Sequence, residues 1–424
     1  MQNKYMRSAL GRVGLSLLAC ASLGLTTMAW AQTQRQPLPL SVALTRAVQN
    51  DPALNAVSPR LEAVDGAVQQ AGVRPNPTLS LETENVLGSK GYGGIDGAET
   101  TLSYSQVYEP SDKRRARQDM ALTQRDLIVA EARVRGLDLM HEIETVWIEA
   151  LTAEAEAELA AERLHMAQRS QKEISRRVNA ARDPLFAGAL VDASVAKAQI
   201  SLDQAQLKAR TAKAQLAAYW GGSADVEFDL NAFRAPGLPT FVAEDMPDAA
   251  VLRARERSST ARIRVETTRP LRDKTLTAGV RHFNADGSVA FVVGGSIPLA
   301  RHDTNQGAIA QARAEAEAAA LDIRAYDLKR ARELAAIHAR LGGYIHEVKR
   351  LDAEVVPQAE RAIRLVEEGF ARGGFAYRDL MNAHEALLAV KAERIALLKT
   401  FHLERARYER LSGQWIALLP EIQQ

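Results

Sequence analysis

The chain states one long plan twice, and few folds accommodate such a plan. The first copy runs from about Leu38 to Gly222, the second from about Pro239 to Gly413. Each reads as a short helical opening, two strands, a very long helix, a sharp turn and a shorter helix. Asp112 to Arg182 spans 70 residues and Arg182 to Gly221 spans 39. In the second copy, His302 to Gly373 spans 71 and Gly373 to Gly413 spans 40. The copies also close alike, on Tyr219-Trp220-Gly221-Gly222 and on Leu411-Ser412-Gly413. The expected organisation is a signal peptide over 1–31, a first repeat over 32–222, a linker over 223–247 and a second repeat over 248–424. Within it, strands are expected at about 78–109 and 274–299, helices at about 112–220 and 303–412. The linker is rich in Pro, Phe and Asp and reads as loop.

The long helices carry coiled-coil seams. Leu139, Ile143, Val146, Ala150, Ala153, Ala157, Ala160, Leu164, Ala167, Gln171, Ile174 and Val178 follow steps of four and three, and only Gln171 is polar. Alanine fills the middle, so a neighbouring helix can approach closely there. The second long helix shows Ile309, Ala312, Ala316, Ala319, Ile323 and Tyr326, then a slip, then Leu334 to Val355 in the same rhythm. Pro357 falls late in it and is expected to kink or break it. A helix of ~65 residues is ~100 Å long at ~1.5 Å per residue, too long for a compact domain. The last helix carries two apolar stripes, one through Leu380, Leu387 and Leu397, the other through Met381, Leu388 and Ile395. Two stripes mean two neighbours, as in a ring of helices; a dimeric coiled coil or rod is the plainer alternative.

The strands point to a membrane. Over Thr78–Leu87, Leu79, Leu81, Thr83 and Leu87 share one side, and Thr78, Ser80, Glu82 and Glu84 the other. Glu99–Glu109, Lys274–Phe283 and Ser288–Leu299 are the other three strands. Alternation over about ten residues matches a strand crossing an outer membrane. Four strands cannot close a barrel, and open edges are not tolerated in lipid. Three chains would supply twelve strands and a closed wall; a soluble hairpin pair packed on helices is the alternative. The expected class is mainly α with a small β part.

The N-terminus reads as an export signal. Lys4, Arg7 and Arg12 precede the apolar stretch Val13–Leu25, and Ala29-Trp30-Ala31 fits the cleavage rule, which places the mature start at Gln32. The remaining chain then carries 51 basic and 52 acidic residues, a balance that gives no pull toward nucleic acid. Cys20 is the single cysteine. Leu17-Leu18-Ala19-Cys20 allows a lipidation reading; the alternative is a small apolar residue within the signal. No disulfide is expected on either reading.

Several motifs, in order, resemble those of the TolC-like outer membrane factors, in particular the heavy-metal efflux subgroup. They begin with Leu38-Pro39-Leu40-Ser41-Val42-Ala43-Leu44, followed by Asn50-Asp51-Pro52-Ala53-Leu54. Ala71-Gly72-Val73-Arg74-Pro75-Asn76-Pro77 is similar to the approach to the first strand. Ser296-Ile297-Pro298-Leu299, then Asp303-Thr304-Asn305-Gln306-Gly307, resembles the exit from the last. Glu368-Gly369-Phe370-Ala371-Arg372-Gly373-Gly374-Phe375, with Asp379-Leu380, resembles the second helical tip. The resemblance implies a homotrimer, with a twelve-stranded β-barrel in outer-membrane lipid and an α-helical barrel crossing the periplasm. It also implies a periplasmic adaptor and an inner-membrane RND pump as partners.

The two helix-to-helix turns are then the places where function is expected. They run over 179–188, with Arg182, Asp183, Pro184 and Gly188, and over 369–377, with Gly369, Arg372, Gly373 and Gly374. By the resemblance these tips dock the adaptor and gate the duct; otherwise they are two sharp reversals supplied by Gly and Pro. Asp192 and Asp379 lie just past their turns, and six such carboxylates in a trimer would make a cation-attracting ring. In the TolC-like proteins that the chain resembles, the second tip often carries a D-x-x-D pair; here that place reads Asp379-Leu380-Met381-Asn382, so half of any such ring is absent. The competing role for both is to favour a helix N-terminus. Glu82 and Glu84 are expected to face the lumen, easing cation passage or keeping it wet. The eight histidines are scattered, without the close spacing of a metal site. No nucleophile elbow, phosphate loop or dinucleotide fingerprint occurs, so no enzyme, cofactor or resident metal is expected. Charged pairs along the helices read as solvated faces. The expected function is passive export of divalent cations such as cobalt, zinc, cadmium or nickel. Export of drugs or secreted proteins, or a periplasmic scaffold, are the alternatives.

Overall fold

The computed structural model describes residues 37–92, 94–299 and 301–420. The expected signal peptide over 1–31, and Cys20 within it, lie outside the described residues. The first repeat opens with α1 (Leu40–Asn50), α2 (Pro52–Asn55) and α3 (Val57–Ala71). The Asn-Asp-Pro turn has a local cause. Asp51 accepts the Leu54 N–H at 2.8 Å, and Pro52 takes the first helical position, where its missing N–H costs nothing. Then follow β1 (Thr78–Glu84), β2 (Glu99–Tyr108), α4 (Ser111–Asn179) and α5 (Leu185–Ala218). After α6 (Leu230–Arg234), the second repeat brings α7 (Pro247–Thr268), β3 (Lys274–Phe283), β4 (Val289–Ser296), α8 (Gln306–Arg350), α9 (Val356–Ala371) and α10 (Tyr377–Ser412).

Three boundaries differ from expectation. The linker is not all loop, because Asp229 caps the short α6 by accepting the Asn231 N–H. β1 stops at Glu84, because Asn85 turns into the left-handed region at φ 59°; Leu87 therefore leaves the strand. β4 ends at Ser296, before Pro298.

The four strands make one antiparallel sheet in the order β1-β2-β3-β4. β2 and β3 come from different repeats and pair along ten residues, from Glu99↔Phe283 to Tyr108↔Lys274. Among the described residues, both outer strands, β1 and β4, keep an unpaired edge.

α4 is the spine. At 69 residues it is ~100 Å long, and α3, α5, α7 and α10 all pack on it. Every residue of the seam from Leu139 to Val178 is buried or half-buried. Ala150 and Ala153 meet Ala209 and Ala212 of α5, and these small side chains let the two helices approach closely. Gln171, the polar seam residue, donates to Asp192 at 2.7 Å. A second buried stripe, Met140, Trp147, Leu151, Ala155 and Met166, was not read from the sequence. Part of it packs against α10, where Met166 meets Leu387 and Leu388. The main core gathers at mid-α4, where Leu44, Met140, Ile143, Trp147, Leu216, Phe233, Met246 and Leu398 meet.

Pro357 acts as expected, through a π-helical turn. Leu351–Val355 widens into that turn, and α9 restarts with Pro357 in its first turn. There its missing N–H and its ring are accommodated.

Candidate functional site at the helical tips and the sheet

Both tips are built by one backbone device. In the first, Arg182 N–H bonds the Arg177 carbonyl at 2.8 Å and Ala181 N–H bonds that of Val178 at 2.9 Å. In the second, Gly374 N–H bonds Gly369 O at 2.8 Å and Gly373 N–H bonds Phe370 O at 3.0 Å. These are paired Schellman closures, each needing a left-handed residue just past the helix. Gly373 fills that place at φ 82°, whereas the first tip forces Ala181 into it at φ 54°.

The reversals are shorter than expected. α5 already begins at Leu185, so Gly188 sits inside its first turn and takes no part in the reversal. Gly369 likewise belongs to α9. Its role is close approach: a Cβ there would lie 2.2 Å from the Phe375 ring. Arg182, Pro184, Arg372, Gly373 and Gly374 are exposed. Beside them stand Leu185, 84% exposed, and Phe186, 66% exposed, which the sequence reading passed over.

A small core and one arginine join the two tips. Ile174, Ala187, Val191, Phe370 and Leu380 bury one another. Arg177 of α4 pairs with Asp183 at 2.7 and 3.1 Å. It also donates to the Phe370 carbonyl oxygen at 2.8 Å and covers the Phe370 ring. The Asp183 hydrogen bond holds this guanidinium even more firmly protonated than usual. Asp183 is thus a half-buried ion-pair partner rather than a free tip charge. No spacing rule flags a contact between residues 177 and 370.

Asp192 and Asp379 do not occupy equivalent places. Asp379 is the third residue of α10, and its carboxylate accepts the Ala376 N–H at 3.0 Å, as a helix cap does. Asp192 is the eighth residue of α5, too deep to cap, and is held by Gln171. The dipole reading therefore applies to Asp379 and not to Asp192.

The sheet is two-faced. Leu79, Leu81, Leu102, Tyr104, Val280, Phe291 and Val293 share one face by register and are all exposed. Phe291 is 88% exposed. Such a continuous apolar face on an ordered sheet marks a lipid or partner surface. The opposite face carries Glu82, Glu84, Glu99, Thr101 and Arg281. Glu84 and Glu99 are direct cross-strand partners, and Arg281 bridges them at 3.0 and 2.8 Å. Among the described residues no group of three or more His, Cys, Asp or Glu could hold a metal ion.

Known proteins share this design. Residues 43–222 match the family described as "Outer membrane efflux protein". The cobalt-zinc-cadmium resistance protein CzcC of Cupriavidus metallidurans is 28% identical over 389 residues, covering 89% of this chain and 90% of that protein. The nickel-cobalt-cadmium resistance protein NccC of Alcaligenes xylosoxydans xylosoxydans is 27% identical over 314 residues, covering 72% and 71%. Among solved structures, the outer-membrane channel OprN superposes with a TM-score of 0.68 at 17% identity, over 89% of this chain and 90% of that one.

Proposed function

We propose that this chain, whose residues 43–222 match the outer membrane efflux protein family, is a member of that family and the exit duct of a tripartite export system that passes divalent heavy-metal cations outward. The observation that carries this reading is the sheet. It exposes a continuous apolar face, holds charge on the other, leaves both edges unpaired among the described residues, and is joined to α4, a helix ~100 Å long. In a bilayer those edges must be sealed, and three copies of this sheet make the twelve strands of a closed wall. The polar face then lines a wet lumen in which Glu82, Glu84 and Glu99 outnumber Arg281 and favour cations. Such a duct steers its cargo by wall charge and has no need to ligate it.

At the far end, the exposed surface around Arg182, Pro184, Leu185, Phe186, Arg372, Gly373 and Gly374 is where a periplasmic adaptor bound to an RND pump docks. Arg177 ties the two tips together and acts as a latch on the opening. Asp379 serves first as a helix cap and Asp192 as a partner of Gln171. Any acidic ring at the tips is therefore formed by carboxylates already engaged.

The test is deletion of the gene, followed by growth on graded cobalt, zinc, cadmium and nickel and on a panel of drugs. Loss of metal tolerance, restored by the gene, is the expected result. Unchanged metal tolerance with lost drug tolerance reassigns the cargo. A monomer in the soluble periplasmic fraction, in place of a heat-sensitive trimer in the membrane fraction, ends the duct reading.

A further inference from the structure

Two carboxyl groups are buried where the two repeats join. Among the described residues, Glu144 and Glu409 are the acidic residues that are buried, at 5% and 3% exposure. Glu144 comes from the middle of α4 in the first repeat. Glu409 comes from the last turn of α10 in the second. α10 crosses α4 here, where Arg410 of α10 pairs with Asp138 of α4 at 2.8 Å, and this crossing brings the Glu409 carboxyl against that of Glu144. Trp415 donates its indole N–H to Glu144 at 3.3 Å, and Arg405 donates to Glu409 at 2.7 Å.

The surrounding charges leave the pair one cation short. Arg405 is the guanidinium bonded to it. Arg410 is committed to Asp138 at 2.8 Å and Asp248 at 2.9 Å, and Arg407 to Glu333 at 3.7 Å, while Arg330 of α8 donates to the carbonyl oxygens of Leu411 at 2.9 Å and Ala243 at 2.8 Å. His402 stacks on Phe233, with its Nε2 2.8 Å from the Phe233 carbonyl oxygen, and burial pushes it toward its neutral form. His141, one turn before Glu144 on α4, is likewise pushed toward its neutral form by burial. The α1 residues packed into this core, Ala43, Leu44, Ala47 and Val48, bring no charge. Glu409 also sits at the negative end of the α10 dipole, which disfavours a further anion. Two carboxylates in contact inside a protein cannot both ionise against one guanidinium without a large penalty.

We propose that Glu144 and Glu409 form a proton-sharing carboxyl pair, a proton-binding site built into the junction of the two repeats. The bound proton completes the hydrogen bonding between the two acids and holds α4 against α10. The same residue anchors the end of α10, since the Glu409 carbonyl oxygen accepts from Gly413 at 3.0 Å and Gln414 at 3.1 Å. Proton loss thus acts on the point where the C-terminal segment turns back onto the core. Burial, and then the Glu409 charge, push the Glu144 carboxyl well above the usual carboxylate range. A group raised in the fold contributes its full stability at acid pH and loses it as pH rises through the raised value. The pair's own contribution to the junction is therefore greatest at acid pH and is lost as pH rises, opposite in sign to that of the buried His141 and His402, whatever cargo the protein carries.

The test is a pH titration of the purified full chain in detergent, with difference infrared reading the C=O stretch of protonated carboxyl groups. The expected result is a protonated-carboxyl band that persists at neutral pH and disappears in Glu144→Gln. In Glu409→Gln the band's midpoint should move toward acid by about one pH unit, a tenfold weaker hold on the proton. A midpoint unmoved in Glu409→Gln overturns the shared pair, as does a band that survives Glu144→Gln. Should either variant fail to fold, the unaltered protein decides alone: no protonated carboxyl at neutral pH overturns the proposal.

Discussion

The guanidinium of Arg177 lies over the ring of Phe370, 4.5 Å from its centre, and donates to that residue's carbonyl oxygen at 2.8 Å. The two residues belong to different repeats, so this contact stitches one helical tip to the other. With the Asp183 pair added, one side chain makes three contacts to two residues. Hydrogen bonds to charged groups are worth about 1.5–3 kcal/mol each when half-buried. Arg177→Ala should loosen the tips by about 2 kcal/mol or more. The expected readout is a higher resting conductance in planar bilayers and faster limited proteolysis at residues 180–184. Conductance and cleavage both equal to the unaltered protein would remove the latch from the argument.

The left-handed residues of the two tips predict opposite effects from a mirrored pair of changes. Ala181→Gly relieves a side chain from an unfavourable conformation and should stabilise by about 1 kcal/mol. Gly373→Ala imposes the same strain and should cost about as much. Thermal unfolding of the two variants tests the difference in sign. A loss in both would mean that something other than backbone conformation governs the turns.

On the sheet, the two faces predict different tolerance to charge. Phe291→Arg puts a cation on the apolar face and should cost about 2–4 kcal/mol near mid-bilayer, emptying the outer-membrane fraction. Glu82→Arg on the opposite face should assemble normally. Equal membrane recovery of both variants would contradict a lipid-facing apolar side.

Arg281 neutralises a like-charge pair set directly opposite across β1 and β2. Arg281→Ala should raise cation preference, seen as a shifted reversal potential in a salt gradient. It should cost only about 0.2–1 kcal/mol of sheet stability from the bared Glu84–Glu99 repulsion. An unchanged reversal potential would place these residues away from the conduction path.

The histidines make the fold acid-sensitive. Burial lowers His402, His384 and His141 below the ordinary value of 6.5. The folded state therefore favours neutral rings, and stability present above about 6.5 is lost as pH falls through the lowered values. Unfolding temperature should drop on acidification, and His402→Gln should flatten part of that slope. An unaltered slope in this variant would exclude His402 from the acid response.

Much of the fold was legible because its signals are periodic. The alternation in Lys274–Phe283 marked a strand to the residue, and the fours and threes from Leu139 to Val178 marked a seam that is covered throughout. Pro357 announced an interruption because its ring cannot sit in an unmodified helix. What stayed hidden depends on partners distant along the chain. Arg177 meets residue 370 only after both hairpins have folded. Glu144 and Glu409 resemble the other charges on their helices, which read as solvated, and only the crossing of α4 and α10 buries them. The short α6 escaped because five residues carry too little period to detect. Gly188 looked like a turn residue, yet α5 had already begun at Leu185.

The wide turn at Leu351–Val355 has a geometric consequence. An α-helix advances about 100° per residue, so one additional residue taken up in a wider coil re-aims everything beyond it by roughly a quarter-circle. α9 therefore points its apolar side, with Ile363 and Phe370, along a different bearing from the one α8 alone would dictate. The bulge works like a set screw between shaft and bit. The upper shaft keeps its grip on α7 and α10, while the lower end is clocked so that Phe370 comes under Arg177.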